Sequence, residues 1–141
     1  MSKHPSWVIE VRANIEDDDF PSAGDLSSDD EYNKEFLERL GNQTAAYSRI
    51  LLRVQYQLAN SDRVHETGDS LGGIQSYVGD QKERSEALKY IRSEFENMVS
   101  VLADELKRIG IPKASWAGLA KTATDECIDS GTSGKASRWK R

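Results

Sequence analysis

The chain has 141 residues, of which 37 % are hydrophobic and 30 % are charged, and its formal net charge is −5. This length holds a single domain, residues 1–141, and excludes a two-domain enzyme. The negative balance argues against a protein whose whole surface binds nucleic acid or acidic lipid, and the single cysteine excludes an internal disulfide.

Charge is distributed unevenly along the chain. Residues 1–31 carry nine acidic side chains against two basic ones, a net of −7, whereas residues 111–141 carry six basic side chains against three acidic ones, a net of +3. The body between them is nearly neutral. The chain therefore runs from an acidic head to a basic tail, and each end is a candidate surface for a partner of opposite charge.

The N-terminal part predicts a strand followed by a linker. Apolar residues alternate with polar ones over about 6–15, which is typical of a half-buried β-strand. The acidic residues 17–19, with Pro21 and Gly24, interrupt the pattern and predict an acidic linker over 16–28. Residues 1–5 and 129–141 are expected to be flexible ends.

Two long helices are predicted next, and together they define a mainly α fold. Residues at alternating spacings of three and four predict a first helix over about 29–60: Leu37, Leu40, Thr44, Tyr47, Leu51, Val54 and Leu58. A similar pattern, with Asp80 as its cap and Gly110 and Pro112 after it, predicts a second helix over about 80–109. Helices of this length, roughly 45 Å, favour a long antiparallel hairpin.

A second apolar stripe on the first helix consists of Ala45, Leu52, Tyr56 and Ala59. Because one stripe packs against the second helix, we expect the other to be a partner or oligomer surface, and a homo-oligomer follows. The glycine-rich connection contains a short alternating run near 73–78 that predicts a strand able to pair with the first one. A short C-terminal helix is predicted over about 113–128.

No pattern in the sequence points to catalysis. Two histidines and one cysteine are too few for a metal site with ligand spacing, and no phosphate-binding loop or nucleophile motif is present. Cys127 is expected to be a small buried residue, because it lies on the apolar face of the predicted C-terminal helix. Its acidic neighbours also disfavour the thiolate that a nucleophile would need. We therefore predict a non-enzymatic protein without cofactor or metal. Its only early apolar run, 7–9, is too short for a signal peptide, so we expect a cytoplasmic location.

Three functions remain open. The leading hypothesis is a helical interaction or regulatory protein that acts through oligomerisation and binding of a protein partner. The first alternative is a nucleic-acid-associated regulator whose contacts are Lys135, Arg138, Trp139, Lys140 and Arg141. A helix-turn-helix in this region is disfavoured, since the connection over 125–132 is too long for a tight turn. The second alternative is an acidic inhibitor that mimics nucleic acid through residues 16–19 and 25–31.

Overall fold

A four-stranded antiparallel sheet is the centre of the computed structural model, which describes residues 5–18 and 30–137. Its strands are β1 (Trp7–Asp17), β2 (Ala45–Gln57), β3 (Val64–Tyr77) and β4 (Ser133–Ser137), in the order β3-β2-β1-β4. The helices are α1 (Asp30–Gly41), α2 (Gln81–Lys107) and α3 (Ala117–Ser130), and a 3₁₀ turn covers Lys113–Ser115. None of the helices in these ranges is both long and apolar enough to cross a membrane.

The prediction of a mainly α fold built on a helical hairpin is wrong. The second helix exists as α2, but the region predicted as the first helix, 29–60, divides into α1 and the strand β2. Strand β2 buries side chains on both faces, which produced spacings of three and four that resemble a helix. Its β-branched and aromatic residues, Tyr47, Ile50, Val54 and Tyr56, favour a strand.

The predicted strand near 73–78 lies at the end of a much longer one. Strand β3 pairs along its whole length with β2, whereas β1 pairs with β2 and β4. The expected pairing of 73–78 with the first strand is therefore wrong. The glycines of β3 caused the error, because glycine usually marks loops. Here Gly68 fits beside β2, where an added Cβ would lie 2.7 Å from the Leu52 carbonyl oxygen.

Helices α2 and α3 cover one face of the sheet. Strand β1 contributes Val11 and Ala13 to this face, and the opposite positions of β2 contribute Val54 and Leu52. Helix α3 lies over β1 and β4, whereas α2 packs on β2 and β3 with one apolar stripe: Ile91, Phe95, Met98, Leu102 and Leu106. Asp80 caps this helix, because its carboxylate accepts the Glu83 N–H at 2.7 Å. The main core thus lies between the sheet and the two helices.

The opposite face is covered by α1 at one end only. Phe36 of α1 is fully buried against Tyr47 and Tyr77, with ring centroids 6.2 and 6.1 Å apart. Arg39 connects this small cluster to α2. Its guanidinium donates to both carboxylate oxygens of Glu83, at 2.7 and 2.9 Å, and lies 4.1 Å from the centroid of the Tyr77 ring. The rest of this face, which we call the open face, carries polar and charged side chains.

The C-terminal segment that the sequence assigned to a flexible end contains the edge strand β4. Gly131, in the left-handed region at φ 78°, ends α3, and the Ser130 hydroxyl then accepts the N–H groups of Thr132 and Ser133. This turn directs β4 back along β1. Gly134 brings the strand into direct contact with α3, because an added Cβ would overlap the Ala123 carbonyl oxygen and lie 2.5 Å from the Cys127 nitrogen.

We expect Gly134→Ala to lower the free energy of unfolding by about 3 kcal/mol or more, since the methyl group would meet backbone atoms that cannot move independently. The control is Gly118→Ala on α3, where nothing lies within 4 Å of the added Cβ. That variant should gain about 0.5–1 kcal/mol from its higher helix propensity. Urea unfolding of the three proteins measures both effects, and equal stabilities of the two variants would contradict the packing of β4 on α3.

A second prediction concerns the pH dependence of α1 docking. The hydrogen bonds from Arg39 lower the pKa of Glu83 below its ordinary value. A carboxyl with a lowered folded pKa stabilises the folded state fully above its unfolded pKa, about 4.3, and loses that contribution as the pH falls through the folded value. We therefore expect the hydrogen-exchange protection factors of α1, which are corrected for the intrinsic effect of pH on exchange, to fall as the pH drops below about 4.3. Glu83→Gln should remove this acid step, whereas Glu86→Gln, on the same helix, should leave it unchanged.

Candidate protein-interaction site

Strand β3 is a long edge strand of the sheet. Its only hydrogen-bonded neighbour in the described sheet is β2. Over residues 64–71 its side chains alternate between exposed and half-buried, and no residue is buried before Ile74. The other edge, β4, has five residues and carries Lys135. Short length and a lysine are ways to prevent edge pairing, so the two edges differ: β4 is protected and β3 is open to pairing.

The features that usually block an edge are sparse in β3. Residues 64–71 contain neither proline nor lysine, and the irregularity in pairing with β2 comes after Leu71, opposite the Ser48–Ile50 step. The Ser70 N–H donates to the Asp69 carboxylate at 2.9 Å, which occupies one backbone donor. Eight consecutive residues therefore form a regular strand whose outward backbone groups are available to an added strand.

Helix α2 borders this edge with an apolar flank. The Thr67 hydroxyl donates to Glu105 at 2.8 Å, which places that side of α2 beside β3. Val101 lies one turn earlier on the same side and is 57 % exposed. Tyr90, 50 % exposed, borders the Gln75–Tyr77 end of β3. We call these two side chains the α2 flank. A strand added over residues 64–71 would cover Val101, whereas Tyr90 lies further along β3.

The open face carries a row of three basic residues. In the strand register Arg12 of β1 lies opposite Lys135 of β4 on one side and opposite Arg53 of β2 on the other. Glu10 partly balances the row, because its carboxylate contacts Arg12 at 2.6 Å and Lys135 at 3.9 Å. Arg53 forms no ion pair with the residues that the structure describes. Like charges directly opposite one another cost stability, so the row needs a counter-charge.

The four residues predicted as a partner surface do not form one surface. Leu52 is fully buried under α2, and Ala45 lies against α1. Tyr56 is half-buried and stacks on His65 with centroids 5.4 Å apart, while Ala59 is exposed beyond the end of β2. Positions 45 and 52 of a strand point to opposite faces, so these residues would form one apolar stripe only if the segment were helical.

The charged ends are described only in part. Lys135 lies on the open face, but Arg138, Trp139, Lys140 and Arg141 lie outside the described residues. The acidic segment 25–29 and most of the linker do so as well. Asp18, at the start of that linker, contacts Arg49 at 3.4 Å and accepts the Gly73 N–H at 2.7 Å. At least one acidic residue of the head therefore binds this chain itself.

Sequence reasoning missed both the β3 edge and the basic row. The sequence of β3 carries little signal, because residues 65–70 are polar or small and the first apolar residues after Val64 are Leu71 and Ile74. The row of Arg12, Arg53 and Lys135 could not be found, because these residues are up to 123 positions apart and only the strand register aligns them.

The groups that could perform chemistry are few in the described ranges. Cys127 is fully buried, and burial raises the pKa of its thiol to about 11, so little thiolate forms near neutral pH. Across residues 5–18 and 30–137, no group of three histidine, cysteine, aspartate or glutamate side chains is arranged to hold a metal ion. The geometry thus offers surfaces for recognition, and these carry the functional argument.

Comparison with protein-family models, with curated proteins and with solved structures found no match to this chain.

Proposed function

We propose that this protein is a non-enzymatic interaction protein of the cytoplasm that self-associates by pairing β3 with the β3 of a second copy. The observation that carries the proposal is the regular edge over 64–71 beside the exposed Val101. The outward backbone groups of β3 would form hydrogen bonds with an added strand, and the α2 flank would contribute apolar surface that the pairing buries. The buried free thiol of Cys127 suits a reducing compartment.

A second copy fits this edge because the strand complements itself. In an antiparallel pair with Thr67 on the two-fold axis, His65 of one copy would face the partner's Asp69, and the reverse contact would form by symmetry. Both residues lie on the helix-facing side of β3, opposite Tyr56 and Leu52 of β2. The same symmetry would place the two α2 flanks beside each other over a continuous eight-stranded sheet.

We expect the purified protein to have twice the mass of the chain by light scattering. Val101→Lys should weaken the dimer at least tenfold, which corresponds to about 1.4 kcal/mol, because it places a charge in the flank that pairing would bury. The side chain is exposed in the single copy, so the fold should be retained. Thr122→Lys adds the same charge to the exposed side of α3, three strands away, and should leave the dimer unchanged.

Hydrogen exchange identifies the surface independently of the mass. Amides of 64–71 should gain protection as the protein concentration rises, while those of β4 should not. A monomer at all accessible concentrations would refute self-association, and a dimer that Val101→Lys does not weaken would place the interface elsewhere.

The basic row supports nucleic-acid binding as a second candidate function. Arg53 forms no ion pair within the described chain, and it lies in register with Arg12 and Lys135 across three strands. A phosphate backbone running across the strands would supply the missing counter-charge. The four acidic residues Glu10, Glu16, Asp18 and Glu66 oppose this function, which is why we place it second.

If the row binds phosphates, Arg53→Gln should reduce affinity for a single-stranded oligonucleotide and lower the slope of log affinity against log salt by about 1. Fluorescence anisotropy with a labelled homopolymer measures both quantities. Arg108→Gln, at the exposed end of α2, removes the same charge away from the sheet and serves as the control. Equal losses in the two variants would indicate a non-specific charge effect and would refute a site on the open face.

A further inference from the structure

A cavity of about 360 Å³ opens at one end of the main core. Its floor is the helix-facing side of the sheet, where β1 ends at Asp17, opposite Ser48 of β2. Its roof is the beginning of α2, and the α3–β4 turn at Gly131 and Thr132 closes one side. The volume lies within the range of small-molecule sites, about 300–1,000 Å³.

The inner wall of the cavity is apolar. Leu88 and Ile91 of α2 face Ile15 of β1 across it, and Ala87 adds a small side chain that leaves the space open. These residues continue the apolar stripe of α2 toward its N-terminus. The wall therefore offers a ligand the same environment that the core offers Phe95 and Leu102 further along the helix.

Two hydroxyl groups lie on the floor of the cavity, those of Ser48 and Ser76. Ser48 is only 7 % exposed, and its hydroxyl forms no hydrogen bond with any residue of the described chain. Ser76 of β3, on the same side of the sheet, is also without a side-chain partner in those ranges. The Ser48 hydroxyl lines the cavity, so it is free to hydrogen-bond to a ligand that enters there.

Among the charged residues at the rim, Asp17 and Arg84 carry opposite charges and are not paired with each other. Asp17 and Arg84 both line the cavity, yet no ion pair joins them within the 4.0 Å that such a contact requires. Arg84 donates one N–H to the Val78 carbonyl oxygen at 3.1 Å, which fixes its position and leaves further donors. Glu16, also at the rim, lies opposite Arg49 in the β1–β2 register.

We propose that this cavity binds a zwitterionic small molecule with an apolar side chain, of the class of α-amino acids. The ammonium group would face Asp17, the carboxylate would face Arg84, and the side chain would lie against Leu88 and Ile91. The Ser48 hydroxyl would hydrogen-bond to the polar head. Each charged contact would add a charge-assisted hydrogen bond. Arg84 keeps donors for this contact besides the N–H that it gives to the Val78 carbonyl oxygen.

The test compares three compounds with the same branched carbon skeleton on the full-length protein. L-leucine carries both charges, 3-methylbutylamine only the ammonium and 4-methylpentanoate only the carboxylate. We expect L-leucine to bind at least tenfold more tightly than either analogue, with amide NMR shifts centred on Asp17, Ser48 and Ala87. Equal binding of the three compounds, tighter binding of one analogue, or no shift at these amides with any of them would overturn the proposal.

Variants connect the binding to the residues of the rim. Asp17→Asn should remove the preference for L-leucine over 4-methylpentanoate, and Arg84→Gln should remove the preference over 3-methylbutylamine. Both positions are exposed, so folding should be unaffected. Ala87→Leu should fill the cavity and abolish the shifts. Lys89→Gln, an exposed residue on α2 that does not line the cavity, should bind like the natural sequence; unaltered preferences in Asp17→Asn and Arg84→Gln would refute the assigned contacts.

Discussion

The packing of α2 across the sheet is the interaction on which the rest of the structure depends. One stripe of the helix, from Ile91 to Leu106, is buried above β2 and β3 and belongs to the same core as Leu52 and Val54. A 27-residue helix is about 40 Å long. It runs along β3, because Tyr90 borders the Gln75–Tyr77 end of that strand and Glu105 contacts Thr67. Its direction therefore decides which surfaces remain uncovered.

Three uncovered surfaces follow from that placement. Because both α2 and α3 lie on one face, the opposite face keeps its polar side chains, apart from the end that α1 covers. Because α2 runs near the β3 side, its flank at Val101 and Tyr90 stays exposed beside β3, an edge strand of the described sheet. The beginning of the helix lies over the sheet end, where Ser48 and Ser76 replace core residues and the space is not filled. Each candidate site is thus a consequence of incomplete coverage.

The sequence predicted the elements whose pattern is local. Strand β1 alternates, α2 has one apolar stripe with a cap and a stop, and α3 follows Pro112, so the predicted bounds lie within about two to four residues of those found. Strand β2 was misread because it is buried on both faces, at Ala45 and Tyr47 by α1 and at Ile50 and Leu52 by α2. Burial on both faces removes the period of two that identifies a strand.

The surfaces were beyond prediction because they depend on register between distant segments. In the sequence Lys135 belongs to a basic tail. In the structure it lies on β4, next to Gly134, and a glycine is required there because α3 leaves no room for a side chain. The cavity needs Asp17, Ser48, Ser76 and Arg84 from four elements, and none of these residues is distinctive in its own segment. Local sequence patterns therefore predict single helices and strands, whereas the candidate sites depend on how distant strands and helices pair.

Helix α2 also links the two proposed surfaces physically. Tyr90 belongs to the flank and Ile91 to the cavity wall, although they are neighbours in sequence, because successive residues of a helix point about 100° apart. A substitution in the buried stripe would therefore disturb both surfaces and could not separate their roles. Substitutions at exposed positions can separate the two roles, because Val101 belongs only to the flank and Asp17 only to the cavity. If self-association and ligand binding respond independently to changes at these two positions, α2 holds two separate sites; if they respond together, the helix moves as one body between them.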